Sequence, residues 1–530
     1  MVRWRYERTT VTSPEAPPLV DYLVLGGGTA GCIVASRLSE DPEVTVSLVE
    51  AGPSDADEPR AHRIQRWPEM LEGEYDLDYR SVPQERGNSF IRQARLRILG
   101  GCSTANTMIT WRPFRGDLDE WVAFGADGWD YETVNPYFDR LRAPVTPIPP
   151  QDRNPYLRDV IDAAAAALDL PVRESWNDTE FRTGAGYFEI GYDPATNHRS
   201  SASSTYIRGG AADRENLHLL LGALVERVIV EDGRAVGAVV RRADGRLREL
   251  RARREVVVCC GAIDSPALLM RSGIGPRAVL AAAGIDVLVD LPGVGENLQD
   301  HAEGLVIWEA TGERPSTRAT GWDAGYVAIV DEDSVVPDVS THIPLETWGV
   351  NAERYGAVLP DNNVSLVPNV GKPRSRGRVW ITSPDPEAPP SIDYRYFTDP
   401  DGHDERMLVA GARLARRVAE QEPFASHLVR EVFPGPDVQT DAELSAVLRA
   451  THQTVYHVSC TCKMGADDDP MAVLDPHLRV RGIDGLRVVD ASVFPTIPAL
   501  NPVGLVMTVA ERAADLIRGE NGAGSSPAGG

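Results

Sequence analysis

One stretch near the amino terminus constrains the fold more than any other. Val20–Leu25 is an apolar, β-branched run that reads as a buried strand. It is followed by Gly26-Gly-Gly28-Thr29-Ala30-Gly31 and an Ala/Val/Leu helical run through Leu38. In such a G-x-G-x-x-G turn the first glycine permits the tight turn and the second lets the backbone approach a pyrophosphate. The third lets helix and strand pack closely. The helix start then offers unpaired N–H groups and the positive end of its dipole to phosphates. A second strand, Val44–Val49, ends in Glu50, nineteen residues past Gly31, the spacing for a carboxylate that accepts hydrogen bonds from a ribose hydroxyl. A glutamate there, in place of an arginine, implies an unphosphorylated ribose. These elements in register predict a dinucleotide-binding α/β unit, and by themselves leave FAD and NAD equal.

Two further strands, Glu255–Cys260 and Leu486–Val489, also run into Gly- or Asp-bearing turns. They lie far from Val20–Leu25 in sequence, so a single sheet that collects all three requires interleaved domains. The expected division assigns 19–154, 216–308 and 448–520 to a nucleotide-binding domain. The stretches 155–215 and 309–447, richer in proline and aromatic residues, form a substrate domain. Residues 1–18 read as a loose arm and the Gly/Ser/Ala/Pro stretch 521–530 as a disordered tail.

Composition narrows the partners. The chain is 42% hydrophobic and 25% charged, ordinary for a soluble protein with a large core. Its net charge of −24 repels phosphate backbones and anionic lipid, so no nucleic acid partner is expected and a cation is the more comfortable guest. The first twenty residues hold three arginines and two glutamates without an apolar core, so no signal peptide is expected. No run approaches the roughly 18 apolar residues of a membrane span, so no membrane association is expected, and the location is read as cytoplasmic. Cys460 and Cys462 form a C-T-C pair, poor metal-ligand spacing without a second pair, and read as packed thiols; no metal site is expected.

Three more segments decide the cofactor. Residues 97–109 read Arg-Ile-Leu-Gly100-Gly101-Cys-Ser103-Thr-Ala105-Asn106-Thr107-Met108-Ile109. Residues 261–276 begin Gly261-Ala-Ile-Asp-Ser265-Pro266, and residues 488–504 contain Asp490-Ala491 and Asn501-Pro502-Val503. With the amino-terminal fingerprint, these resemble the glucose–methanol–choline oxidoreductase family across roughly residues 19–520. Gly116-Asp-Leu-Asp-Glu-Trp121, Gly87-Asn-Ser-Phe90, Gly293 to His301, Arg395 to His403 and Thr454-Val-Tyr-His457 are nearest to its choline-oxidising members. The resemblance implies FAD, and an α/β fold in which a Rossmann-like FAD-binding domain interleaves with a substrate domain built on an antiparallel sheet. Its FAD contacts map onto Gly26, Gly28, Thr29, Ala30, Gly31, Glu50 and Ala51, and onto Gly100, Gly101, Ser103, Asn106, Thr107, Met108 and Ile109. They continue at Val225, Gly261, Asp490, Ala491, Asn501, Pro502 and Val503.

The same resemblance makes His457 the catalytic histidine, since an imidazole has the right pKa range to take a hydroxyl proton. Asn501 matches the second catalytic position, although Asn501-Pro502 also reads as a helix N-cap with proline at the first helical position. His342 resembles a second histidine that orients the hydroxyl. Glu303, with Trp67, Trp322 and Tyr456, resembles a cage for a weakly hydrated organic cation. The chain departs from the family at Ala105, where choline-oxidising members carry a histidine bonded to the flavin, so non-covalent FAD is expected. Thr107 stands where they have Ser and Val458 where they have Pro. The implied reaction is oxidation of a small-molecule alcohol, cationic or choline-like, to aldehyde, with a further oxidation to the acid left open. Hydride passes to the flavin and O2 is reduced to hydrogen peroxide. A dehydrogenase with another acceptor and a hydroxynitrile-lyase-like member remain alternatives, and a homodimer is one option for the assembly.

Overall fold

The computed structural model of the chain describes residues 17–523 except 88–90, 179, 313 and 317. Leu19–Leu25 is buried at every position but its first, as a strand covered on both faces must be. It lies parallel to Val46–Val49 on one side and to Leu247–Val258 on the other. Leu217–Leu220 extends the sheet beyond Val46–Val49, and Leu486–Val488 pairs with Val256–Val258. The three strands expected to share a sheet therefore do. Glu255–Cys260 is only the end of its strand: the preceding Leu247–Arg254 alternates exposed and buried residues because it also closes an antiparallel meander with Ala223–Glu231 and Arg234–Arg242. The second strand of the fingerprint starts at Val46, two residues later than expected.

The second sheet has nine strands and is almost wholly antiparallel. Its order is Leu428–Phe433, Val306–Ala310, Asn363–Val370, Val339–His342, Ala324–Ala328, Gly184–Tyr187 and Val172–Arg173. Helices Pro155–Leu168 and His403–Ala419 cover one face. The latter buries Met407, Leu408, Gly411, Ala412, Ala415 and Val418 along one side, the spacing of a helix lying on a sheet. The interleaved α/β architecture is the one the motifs implied.

Two boundaries shift. Residues 302–308 were expected in the nucleotide domain, but Glu303 pairs with Asn369 and Val306 with Leu366, so this stretch belongs to the antiparallel sheet. Gln453–Thr454 joins it by pairing with Ala302–Glu303. The register brings Glu303 and the segment leading to His457 side by side. At the carboxy terminus, helix Val503–Ala523 runs three residues into the expected tail. The remainder of that tail, the arm before residue 17 and Asn88–Phe90 of the Gly87 stretch lie outside the described residues.

Candidate active site

A continuous cavity of about 1860 Å³ runs from the Gly26–Ala30 turn to the antiparallel sheet. At its nucleotide end Gly26 has φ +102°, which a side chain would strain. A Cβ on Gly31 would fall 1.9 Å from Gly26 O, so only glycine lets helix meet strand here. Gly28 is open toward the cavity, and helix Thr29–Leu38 starts without a side-chain cap or an acidic first turn. Its first N–H groups are thus available to an anion. Glu50 lines the cavity, its two oxygens accepting from Gly27 N at 2.8 Å and Gly52 N at 2.7 Å.

Thr29, Ala30, Ala51, Gly101, Asn106, Thr107, Met108, Ile109, Val225, Gly261, Asp490, Ala491, Pro502 and Val503 line the same cavity. Asp490 ties its walls together, accepting from Gly261 N at 2.9 Å and Ser492 N at 2.8 Å. Three expected contacts stand behind the wall. Gly31 is one. Gly100 donates its N–H to Gly27 O at 2.7 Å, and Ser103 is fully buried with its hydroxyl on Gly100 O at 2.6 Å. They shape the loop and do not line the cavity. An uncapped helix start, a glycine cradle and a carboxylate lining one elongated cavity fit FAD.

The other end of the cavity gathers residues far apart in sequence. His457 Nδ1 lies 2.8 Å from His301 Nδ1, and His457 Nε2 lies 3.3 Å from Asn501 Nδ2. Its backbone N–H donates to Asp300 Oδ1 at 2.8 Å, and Asp300 also accepts from the Tyr396 hydroxyl. Burial, with His301, His342 and Arg95 nearby, holds the His457 pKa well below the usual imidazole range. It is therefore neutral at neutral pH. His342, at the end of its strand, receives Asn369 Nδ2–H on Nδ1 at 2.9 Å, and burial lowers its pKa to about 4.

Asn501 does not cap the last helix. Val506 N–H donates to Pro502 O, so Pro502 takes the cap position. The Asn501 amide is drawn away by Trp111, whose Nε1–H donates to Asn501 Oδ1 at 2.9 Å.

Beyond the histidines stands the cage. Trp67 and Trp322 meet edge to face at 6.0 Å between centroids, and Tyr456 lines the same space. A third indole, Trp348, completes it at 4.9 Å from Trp322. Each indole N–H is fastened: Trp67 to Thr320 O, Trp322 to Glu346, and Trp348 to Glu303 Oε1 at 2.9 Å. Glu303 Oε1 also accepts from Gln453 Nε2 at 2.6 Å, while its buried Oε2 has no protein partner. Burial pushes the Glu303 pKa up to about 8. Trp348, His301, Trp111 and Gln453 were not singled out from sequence. His301 sat inside a quoted motif, whereas Trp348 lies in a loop without pattern.

Fold and site together define a flavin-dependent alcohol oxidoreductase. Residues 20–303 and 373–510 match the two family models described as GMC oxidoreductase. The chain belongs to the GMC oxidoreductase family, whose members oxidise alcohols with FAD. It is 45% identical to choline oxidase of Arthrobacter globiformis, covering 94% of each chain. It is 35% identical to the oxygen-dependent choline dehydrogenase of Photobacterium profundum, covering 94% of this chain and 93% of that one. Among solved structures, pyridoxine 4-oxidase from Mesorbium loti superposes with a TM-score of 0.86 at 30% identity, covering 94% of this chain and 98% of the other. Among the described residues no helix is long and apolar enough to cross a membrane.

Proposed function

We propose that the chain oxidises a small cationic alcohol, an alkylammonium or quaternary ammonium alcohol of the choline type, with O2 as electron acceptor. One observation carries the reading: a carboxylate with a buried, unpartnered oxygen sits among three indoles, across one cavity from the histidines. An organic cation supplies what that oxygen lacks, and the aromatic faces suit its weakly hydrated methyl groups. Its hydroxyl then lies toward His457, Asn501 and His342. His457 Nε2 takes the hydroxyl proton, while His342 and Asn501 hold the oxygen and orient the carbon. FAD bound along the cavity would supply the hydride acceptor and the route by which the electrons reach O2, with hydrogen peroxide as the product. Aldehyde that hydrates within the cage has the same hydroxyl geometry, which supports a second oxidation to the acid.

The flavin is held without a covalent bond in this reading. Ala105 is buried in a small apolar cluster with Met70 and Ile98, flanked by Tyr75 and Leu96, and its methyl group cannot form the bond. All six cysteines are free thiols, which suits a reducing, cytoplasmic compartment.

The test is an anaerobic panel of quaternary, tertiary and primary amino-alcohols beside neutral and aryl alcohols, read as bleaching of flavin absorbance. Cationic alcohols are expected to reduce the flavin fastest, with peroxide forming when air is admitted. Preference for neutral or aryl alcohols would overturn the substrate class. Dye reduction without peroxide would overturn the acceptor.

A further inference from the structure

The polar groups at the catalytic end form one hydrogen-bonded chain whose two ends can act in only one sense. At one end Trp111 Nε1–H donates to Asn501 Oδ1 at 2.9 Å. An indole nitrogen cannot accept, so the amide oxygen must face Trp111 and the amide nitrogen must face His457. Asn501 Nδ2 lies 3.3 Å from His457 Nε2 and can only donate there, so Nε2 is the ring nitrogen without a hydrogen.

At the other end His301 Nε2 lies 3.0 Å from Pro498 O, and a carbonyl can only accept. His301 Nε2 therefore carries a hydrogen. His301 is fully enclosed and its pKa is lowered by burial to about 3, so it is neutral and its Nδ1 is a bare acceptor. His457 Nδ1, 2.8 Å away, must then carry the hydrogen between them. The two ends reach the same tautomer independently.

The anchor at Pro498 is itself fixed. Lys372, one of only two lysines in the chain, donates to Ile497 O at 2.8 Å and to Asp117 Oδ1 at 3.0 Å. Asp117 Oδ2 in turn accepts from Ala499 N at 3.0 Å. Both neighbours of Pro498 are thus pinned to one buried ion pair.

We propose that His301 and Trp111 are positioning residues that lock His457 in its Nδ1–H tautomer, presenting the bare Nε2 to the substrate hydroxyl. The inference rests on the reading of His457 as proton acceptor. The opposite tautomer would set two lone pairs against each other between the histidines and two hydrogens against each other at Asn501. The substrate hydroxyl displaces the Asn501 Nδ2–H from the single lone pair of Nε2, and when its O–H bond breaks and the proton arrives there, Nδ1–H keeps donating to His301. The imidazolium forms without any ring turning, which is the preorganisation a buried proton transfer needs.

The test uses FAD-loaded enzyme labelled with 15N-histidine, with the His457→Ala spectrum identifying the signals of that ring. In the wild type, Nδ1 is expected to resonate as protonated and Nε2 as unprotonated. His301→Ala is expected to give a mixture of tautomers and slow anaerobic flavin reduction on the order of 10²-fold, with FAD content unchanged. His301→Gln, whose Oε1 can accept from His457 while Nε2 donates to Pro498 O, is expected to recover most of that loss. A protonated Nε2 in the wild type overturns the proposal, and that measurement needs no variant to fold. Wild-type flavin reduction by His301→Ala overturns it too. If His457→Ala itself reduces flavin at the wild-type rate, the assignment of the base is what fails.

Discussion

Replacing Glu303 by Gln keeps the shape of the cage floor and removes the charge that its carboxylate can carry. Two unit charges about 4 Å apart interact by roughly 4 kcal/mol at an effective dielectric near 20. Part of that is spent ionising the carboxyl, because burial pushes the Glu303 pKa up to about 8. At pH 7 this costs about 1 kcal/mol, so the net contribution is about 3 kcal/mol, roughly 100-fold in affinity. Glu303→Gln is therefore expected to weaken choline binding on the order of 10²-fold, and binding of its neutral isostere 3,3-dimethyl-1-butanol by less than about threefold. The pH dependence has a definite sign. A cation favours the ionised carboxyl, so wild-type affinity is highest above pH 8 and declines as pH falls through the Glu303 pKa of about 8. The decline is about tenfold per pH unit until the lower pKa of the occupied site is reached. The variant is expected to show no such limb. The assay is anaerobic flavin reduction against substrate concentration from pH 6 to 10. Equal losses for the charged and neutral alcohols, or a wild-type affinity indifferent to pH across 8, would refute the reasoning.

His457→Ala is expected to retain FAD and slow flavin reduction by a factor on the order of 10² to 10⁴, measured by anaerobic stopped flow. Trp348→Phe keeps a ring in the cage but deletes the N–H that stabilises ionised Glu303. It is expected to raise the Glu303 pKa, shift the affinity limb to higher pH and weaken cation binding roughly tenfold at pH 7, a loss near 1.5 kcal/mol. Acid precipitation is expected to leave a white pellet and a yellow supernatant containing FAD. A pellet that stays yellow after washing means that some residue other than Ala105 makes a covalent bond. If the pellet is white, Ala105→His is the reverse test, with a raised flavin potential expected should the bond form.

The nucleotide half was legible because its requirements fall on single residues in a short window. Gly26 needs its positive φ and Gly31 its missing Cβ, and both needs are met within six residues of one strand. Glu50 follows the neighbouring parallel strand of the same sheet. Steric demands of this kind leave a signature that spacing alone reveals. The substrate half has no such signature. Its walls come from a short 3₁₀ segment at Trp67, a strand at Glu303 and loops at Trp322 and Trp348. They meet only because the register pairs Glu303 with both Asn369 and Gln453. That register also moved the expected boundary at residue 308, since an apolar run such as Val306–Ala310 does not declare which sheet it joins.

Asn501 shows why polar geometry is harder still to read. Its neighbours Leu500 and Pro502 make a plausible helix cap, and local sequence offers no reason to reject it. The decision is taken by Trp111, 390 residues earlier, whose indole can only donate and so claims the amide oxygen. The same logic runs through His301, whose direction is set by a carbonyl 197 residues away. In each case a group with one possible role, donor or acceptor, fixes a neighbour that has two. Tautomer and amide orientation are properties of the closed chain from Trp111 to Pro498, so they become readable only once the fold has brought its five members into contact.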